Sequence, residues 1–180
     1  MLVINLYGAP GAGKSTGAAY LFSKLKLAGI NAELVTEFAK DKVWEENPTV
    51  FKNQVYLFGK QYYRMSRLEG KVDVVVTDSP LLLSSFYNKD KEVLGAEFDA
   101  LVTKVAKSYE SINIFIRRVK PYNPKGRFQT EAESDEVHRE LIRFLDEHNI
   151  NCLFYSGCEE EYEILAKDII YMIKTNRMVV

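Results

Sequence analysis

A glycine-rich turn near the N-terminus constrains the fold of this chain more than any other feature of its sequence. Glycines at positions 8, 11 and 13 and the pair Lys14-Ser15 follow the spacing G-x-x-x-x-G-K-[ST]. An apolar run of strand length precedes the turn, and apolar residues at helical spacing (18, 21, 22 and 25) follow it. Backbone N–H groups at such a strand-to-helix turn bind phosphate oxygens. The sequence therefore predicts a strand, a phosphate-binding loop (P-loop) and a helix, in that order.

Apolar runs of strand length alternate with helical patterns along the rest of the chain. Their consecutive β-branched residues are typical of parallel strands that are buried on both faces. This alternation predicts an α/β fold in three layers, with helices on both sides of a five-stranded parallel sheet. No linker or repeat divides the 180 residues, so we expect one domain over 1–180. The five runs are Leu2–Tyr7, Ala32–Thr36, Val72–Thr77, Ile112–Ile116 and Asn151–Tyr155.

Composition excludes several other classes of protein. The formal net charge of −1 gives no overall positive field for nucleic acid or membranes. Two cysteines, Cys152 and Cys158, are too few for a disulfide framework or a four-ligand zinc site. The N-terminus lacks the basic region of a secretory signal, and no apolar stretch approaches the length of a bilayer span. We therefore expect a cytoplasmic protein with no membrane partner.

The residues of the turn predict ATP and Mg²⁺ as cofactors. Glycines let successive N–H groups point at phosphate oxygens. The ammonium of Lys14 reaches the β- and γ-phosphates, and the hydroxyl of Ser15 is a ligand for Mg²⁺. The predicted nucleotide-binding residues are Gly8, Gly11, Ala12, Gly13, Lys14, Ser15 and Thr16.

The rest of the chain favours a small kinase over other users of this loop. A GTPase usually carries the motif N-K-x-D, whereas residues 88–91 read Asn-Lys-Asp-Lys, with lysine in place of the aspartate. A motor ATPase needs more chain for its sensor and lid subdomains. A single P-loop kinase domain fits the length of the chain best.

Two acidic residues follow predicted strands and are candidates for catalysis. Asp78 ends the run VDVVVTD, which is the pattern of an acid that holds Mg²⁺, and its alternative role is to cap a turn. Glu37 follows the second strand. Ligands bind at the carboxyl ends of parallel strands, so both carboxylates are expected near the γ-phosphate. Glu37 is the predicted base for an attacking hydroxyl, and the alternative is an exposed residue at a helix start.

A basic segment follows the fourth strand. Five cations occur in residues 117–127, among turn-forming residues, which indicates a loop that closes as a lid over the triphosphate. We assign the lid to about 117–131, because Thr130 and Glu133 have the spacing of a capping box at the next helix. Arg118 and Arg127 are the predicted phosphate contacts that stabilise charge during transfer. The alternative is a basic surface loop without a role.

The acceptor is expected between the segment after the second strand and a glutamine-bearing helix that Asn47 and Pro48 open. Phe38 and Tyr62 can stack on a ring of the acceptor, and Gln61 can read a base or amide edge. The helical spacing of the aromatic and aliphatic residues also fits a simple core face, which we favour. That face contains Phe51, Val55, Phe58, Tyr62 and Met65.

Together these residues resemble the nicotinamide riboside kinase-like branch of the P-loop kinases, a group common among phage and bacterial proteins. Residues 37–40, Glu-Phe-Ala-Lys, are similar to the Glu-Tyr-Ala-Arg segment of that branch. The helix with Gln54 and Gln61, which runs into VDVVVTDSP, resembles its glutamine-bearing helix, and residues 123–131 resemble the lid of phage members. The resemblance covers most of the chain.

The resemblance implies a strand order of 2-3-1-4-5, ATP as the phosphate donor and an acceptor hydroxyl on a ribose-like ring. It makes Glu37 the base or the contact of that hydroxyl. It also implies that Ser156 and Gly157, after the fifth strand, lie beside the adenine.

Three functions are compatible with these features. The first is a kinase for a nucleoside, nicotinamide riboside or a nucleoside monophosphate. The second is a kinase for a hydroxyl within nucleic acid, such as a hydroxymethylated base in phage DNA, which the balanced net charge disfavours. The third is an ATP-binding switch without phosphotransfer. The sequence leaves the acceptor and the oligomeric state undetermined.

Overall fold

Five parallel strands form one sheet in the computed structural model, which describes residues 1–45, 48–89, 91–125 and 129–176. The order across the sheet is β2-β3-β1-β4-β5. This confirms the predicted α/β fold and the strand order that the family resemblance implied. The strands are β1 (Leu2–Tyr7), β2 (Ala32–Val35), β3 (Val74–Thr77), β4 (Glu110–Arg117) and β5 (Leu153–Ser156).

Helices cover both faces of the sheet and complete three layers. One apolar core lies between the sheet and α1 and α7, and the other lies between the sheet and α3, α4, α5 and α6. Among the described helices, none has both the length and the apolar character needed to cross a bilayer. The helices are α1 (Lys14–Leu27), α2 (Phe38–Trp44), a 3-10 helix (Pro48–Lys52), α3 (Gln54–Ser66), α4 (Leu83–Phe86), α5 (Gly95–Lys107), α6 (Glu131–Glu147) and α7 (Glu159–Asn176).

The register of the sheet determines which loops share one edge. β1 is the central strand and pairs in parallel with β3 and β4, so that Asn5 lies opposite Thr77 and Asn113. β2 pairs with β3, and β5 pairs with β4. Because all five strands point the same way, the loops that follow them meet at one edge of the sheet. The P-loop and both predicted catalytic acids lie at that edge.

The predicted core face between residues 51 and 65 is only partly correct. The side chain of Asn53 accepts a hydrogen bond from the backbone N–H of Tyr56, which caps α3 and separates it from the 3-10 helix. This break rotates the helical face: Phe58 is buried, but Val55 is 49% exposed and Tyr62 is 36% exposed. The core assignment is therefore wrong for Val55 and Tyr62. The buried residues of α3 are Gln54, Leu57, Phe58, Gln61 and Met65, and Asn47, the predicted cap, lies outside the described residues.

Leu21→Ala is expected to test the packing of α1 on the sheet. The side chain is fully buried in the core that α1 shares with α7. Removing a buried leucine side chain leaves a cavity and costs about 2–5 kcal/mol of unfolding free energy. The measurement is urea denaturation followed by circular dichroism. Leu27→Ala, on the same helix but exposed, is the matched control and is expected to change stability by less than about 0.5 kcal/mol. Equal losses in the two variants would contradict this packing.

Candidate active site

The P-loop connects β1 to α1 through three glycines with positive φ. The φ angles are 143° at Gly8, 80° at Gly11 and 104° at Gly13. A Cβ at Gly8 would lie 2.6 Å from the carbonyl oxygen of Ile116, and one at Gly13 would lie 2.3 Å from the Tyr162 hydroxyl. Both backbone angle and space therefore require glycine at these two positions.

The side chain of Lys14 folds back over the loop that precedes it. Its ammonium donates hydrogen bonds to the carbonyl oxygens of Gly8 at 2.7 Å and Ala9 at 3.1 Å. Ser15 and Thr16, in the first turn of α1, are exposed. The structure therefore gathers a cation, backbone N–H groups and a hydroxyl at the N-terminus of a 14-residue helix, which is a favourable place for phosphate.

Two later helices hold the P-loop from outside. The buried hydroxyl of Ser134, on α6, donates to the carbonyl oxygen of Pro10 at 2.7 Å. The hydroxyl of Tyr162, on α7, donates to the carbonyl oxygen of Gly13 at 2.9 Å. The sequence analysis did not identify Ser134 or Tyr162. Their sequence context offers no signal, because each meets the loop from a helix more than 120 positions away.

The turn after β5 also packs against the P-loop. The N–H of Gly157 donates to the carbonyl oxygen of Arg117 at 2.8 Å. A Cβ on Gly157 would lie 2.1 Å from the carbonyl oxygen of Ala12, so the close approach requires glycine. Ser156 precedes it, and its N–H donates to the carboxylate of Glu161. The turn of Ser156 and Gly157 therefore borders the nucleotide loop, and its contact with adenine stays a prediction.

The two candidate acids lie side by side. The backbone N–H of Glu37 donates to the Oδ1 atom of Asp78 at 3.0 Å, so Asp78 fixes the start of α2. Asp78 is buried, while the Glu37 side chain is half-buried. Burial raises the pKa of Glu37 above its ordinary value; the positive charge of Lys14 opposes this shift and the negative charge of Asp78 adds to it. Lys14, Glu37 and Asp78 thus form one electrostatic group.

Tyr87 lies in the electrostatic environment of Glu37, and the sequence analysis did not single it out. Its pKa is raised, first by burial and then by the negative charge of Glu37. The hydroxyl group is therefore protonated at neutral pH and lies within the field of Glu37. Tyr87 follows the short helix α4, and neither spacing nor motif distinguishes it from the other ten tyrosines.

Gln61 positions the beginning of α2. Its amide oxygen accepts from the N–H of Phe38 at 3.0 Å, and its amide nitrogen donates to the carbonyl oxygen of Thr36 at 3.4 Å. Arg64 donates to the same carbonyl oxygen at 3.1 Å and pairs with Asp41 at 2.7 Å. The buried amide of Gln61 therefore holds the segment that carries Glu37, and its contact with an acceptor stays a prediction.

The ring of Phe38, the residue after Glu37, lies in a cationic environment. It meets Tyr56 edge to face, with ring centroids 5.6 Å apart. The guanidinium of Arg64 and the ammonium of Lys42 lie 5.1 and 5.4 Å from the centre of its ring. Tyr62 is stacked on Phe58, with ring centroids 6.0 Å apart. The structure thus places Phe38 next to Glu37 and leaves Tyr62 at a separate, partly exposed position.

Arg118, at the start of the lid, is engaged with α6 rather than with the P-loop. Its guanidinium pairs with the carboxylates of Glu131 and Asp135, which raise its pKa, and it lies 5.5 Å from the centre of the Tyr122 ring. The capping box of Thr130 and Glu133 at the start of α6 is present, as predicted. Arg127 lies outside the described residues.

The oxygen ligands available here fit Mg²⁺. Mg²⁺ is usually held by one or two protein oxygens together with phosphate oxygens and water, rather than by a complete protein cage. The hydroxyl of Ser15 and the carboxylate of Asp78 offer such oxygens at the same edge of the sheet. Within the described parts of the chain, no group of three or more histidine, cysteine, aspartate or glutamate residues forms an alternative metal site.

The comparisons with known proteins agree with this fold. The model of a protein family described as "AAA domain" matches residues 3–161 of this chain. The crystal structure titled "NadR protein in complex with NR" matches with a TM-score of 0.70 and 18% sequence identity, covering 93% of this chain and 50% of that chain. This chain thus spans half the length of that solved chain, and at this identity the match shows a shared fold. None of the curated proteins compared matches the sequence. By its fold, its P-loop and its family match, the chain belongs to the AAA domain family of P-loop NTPases.

Proposed function

We propose that this protein is an ATP-dependent kinase that transfers the γ-phosphate to a hydroxyl or phosphate group of a small nucleoside-like molecule. The observation that carries the proposal is that Lys14, Glu37 and Asp78 converge after the carboxyl ends of β1, β2 and β3. A nucleotide-binding switch needs the first and third of these groups but has no use for a base beside them. The raised pKa of Glu37 supports a role in proton transfer.

The nucleotide side of the site uses the P-loop backbone and Lys14. The N–H groups of residues 11–16 bind the phosphates, and the Lys14 ammonium, which lies over the loop, contacts the β- and γ-phosphates. Mg²⁺ held by Ser15 and Asp78 would neutralise charge on these phosphates. Arg118 and Arg127 in the lid are the proposed additional phosphate contacts.

The acceptor side of the site uses Glu37 as general base. The Glu37 carboxylate takes the proton as the acceptor oxygen forms its bond to the γ-phosphorus, and the bond between that phosphorus and the bridging oxygen of ADP breaks. The positive charge of Lys14 favours the ionised carboxylate, while burial and Asp78 raise its affinity for a proton. Phe38 provides a ring surface beside the base, and Gln61 keeps the segment of Glu37 and Phe38 in place.

The acceptor class is supported by the family resemblance and by the solved neighbour. The resemblance implies a ribose-like hydroxyl, and NadR was crystallised with NR. We therefore propose nicotinamide riboside, a nucleoside or a nucleoside monophosphate as acceptor. The AAA domain match supports ATP binding and leaves the choice among these acceptors to experiment.

Labelled phosphate from γ-labelled ATP is expected to appear on one class of small acceptor. The assay incubates the protein with Mg²⁺ and separate pools of nicotinamide riboside, ribonucleosides, deoxynucleosides and nucleoside monophosphates. Lys14→Ala is expected to abolish labelling, because the γ-phosphate loses its cation, whereas Lys24→Ala on the exposed face of α1 retains it. ATP binding without labelled product in any pool would contradict the small-molecule kinase and favour the switch.

Glu37→Gln is expected to lower kcat by about 10²–10⁴-fold while ATP still binds, because the amide accepts no proton.

In the wild-type enzyme, activity should fall as pH decreases through the raised pKa of Glu37. The midpoint should therefore lie above the ordinary value of about 4.5. The measurement is kcat as a function of pH for both proteins.

Glu33→Gln, on β2 and away from the P-loop edge, is the matched control and should keep both the rate and the pH profile. A Glu37→Gln enzyme with wild-type kcat would show that another group accepts the proton.

A nucleic-acid acceptor is the second candidate, and one surface favours it. Trp44 and Tyr63 are largely exposed on α2 and α3. The ammonium of Lys60 lies 5.5 Å from the centre of the half-exposed Tyr56 ring. Aromatic rings alternating with cations are typical of surfaces on which single-stranded bases stack.

Salt dependence separates the two candidates. Transfer to hydroxymethylated DNA should decrease steeply between 50 and 200 mM salt, by about 10-fold or more for a few phosphate contacts. Lys60→Ala should weaken transfer to DNA and leave transfer to free nucleosides unchanged. Labelling of free nucleosides that is insensitive to salt, with no labelling of DNA, would exclude the second candidate.

A further inference from the structure

A second cleft, with a volume of about 380 Å³, enters the face of the sheet that α5 and α6 cover. The exposed residues of its lining, Lys107 and Asn149, precede β4 and β5 and mark its mouth at the edge opposite the P-loop. Its floor is formed by alternate residues of two neighbouring strands. These are Val3, Asn5 and Tyr7 of β1 and Ser111 and Asn113 of β4.

The floor of this cleft carries two amide side chains in the middle of the sheet. Asn5 is 8% exposed and donates from its Nδ2 atom to the Oδ1 atom of Asn113 at 3.0 Å. Burying amides in a sheet costs free energy unless they are hydrogen-bonded, and one bond satisfies only part of the two side chains. Asn5 and Asn113 interrupt the apolar runs LVINLY and INIFI, a signal that the sequence analysis did not use.

Several polar atoms on this floor are available to a ligand. Tyr7 is 2% exposed, and within the described part of the chain its hydroxyl has no hydrogen-bond partner. The same holds for the amide oxygen of Asn5 and the amide nitrogen of Asn113. Every completely buried side-chain nitrogen or oxygen among the described residues has a hydrogen-bond partner. The three unpaired atoms are therefore accessible, and the space that they reach is the cleft. Buried tyrosine hydroxyls normally find a partner.

The chemistry of the lining restricts the ligand. Among the described residues that line the cleft, only Lys107 is charged, and its ammonium donates to the carbonyl oxygen of His148. The walls are apolar, with Met65, Leu81 and Leu82 among them. A nucleotide with its phosphates would find no matching charge on the floor. An uncharged ring with an apolar face fits these walls better.

The arrangement of hydrogen-bonding atoms further restricts the chemical class of the ligand. Asn113 offers amide N–H donors, Asn5 offers an amide oxygen and Tyr7 offers a hydroxyl, all within one small floor. Amide side chains pair with the neighbouring donor and acceptor atoms of heterocycles, as asparagine does with adenine. A volume of 380 Å³ suits a ring system with a small substituent. We propose that this cleft is a second ligand site, which binds an uncharged nucleobase or nucleoside.

The test measures binding of free nucleobases and nucleosides to the full chain by titration calorimetry. The panel contains adenine, guanine, hypoxanthine, uracil, thymine and cytosine with their nucleosides, without ATP. At least one compound is expected to bind. Tyr7→Phe should weaken its binding by about 2- to 12-fold, the value of one hydrogen bond. Asn113→Leu should weaken it by at least as much.

Two controls distinguish this site from the proposed acceptor site and from general damage. Tyr155→Phe makes the same chemical change at a hydroxyl that contacts Asp168, away from the cleft, and should leave binding unchanged. Phe38→Ala, in the acceptor site, should also leave it unchanged. Tyr7→Phe removes an oxygen with no partner in the described residues, so the variant is expected to fold and to bind ATP normally.

Three outcomes would overturn the proposal. The first is that no compound of the panel binds at millimolar concentration. The second is binding that neither Tyr7→Phe nor Asn113→Leu weakens. The third is binding that Phe38→Ala abolishes, because the compound then occupies the acceptor site. None of these outcomes depends on kinase activity, so the proposed function is tested separately by the phosphate-transfer assay.

Discussion

The nucleotide site depends on a backbone conformation that residues other than glycine rarely adopt. Between Gly8 and Gly13 the chain takes three positive φ angles, and the backbone approaches Ile116 and Tyr162 too closely for any side chain. Hydrogen bonds from Ser134 and Tyr162 to loop carbonyls hold this conformation from two helices that lie far away in the sequence. The loop is thus a meeting point of β1, α1, α6 and α7, and its shape is fixed by tertiary structure as much as by its glycines.

A second set of hydrogen bonds fixes the segment after β2 that carries Glu37. Asp78 at the end of β3 accepts from the N–H of Glu37, and Gln61 accepts from the N–H of the next residue. Two buried side chains from different elements therefore fix the first turn of α2. None of the residues of α2 is buried, so these hydrogen bonds largely determine where the helix begins. The position of the Glu37 carboxylate is in this way determined by β3 and α3.

The sequence was sufficient for those parts of the molecule that depend on local patterns. The spacing of glycines with Lys14 predicted the loop, and β-branched runs predicted the parallel strands, whose ends differ by only a few residues. The family resemblance supplied the strand order. Val55 and Tyr62 were misplaced because one hydrogen bond at Asn53 interrupts the helix and changes its phase. Ser134, Tyr162 and Tyr87 were not identified, because contacts between distant helices and loops leave no local pattern. Asn5 and Asn113 left a local signal, but its meaning required the register of β1 and β4.

The contacts of the Lys14 ammonium have a consequence for how variants of this loop are understood. The ammonium donates hydrogen bonds to two carbonyl oxygens of the loop that precedes it, so a side chain of α1 braces the segment through which the chain leaves β1. Loss of this lysine therefore removes two hydrogen bonds within the loop as well as the proposed phosphate contact. A neutral residue of equal length cannot replace the two functions at once, which ties the folding of the loop and its use to a single side chain.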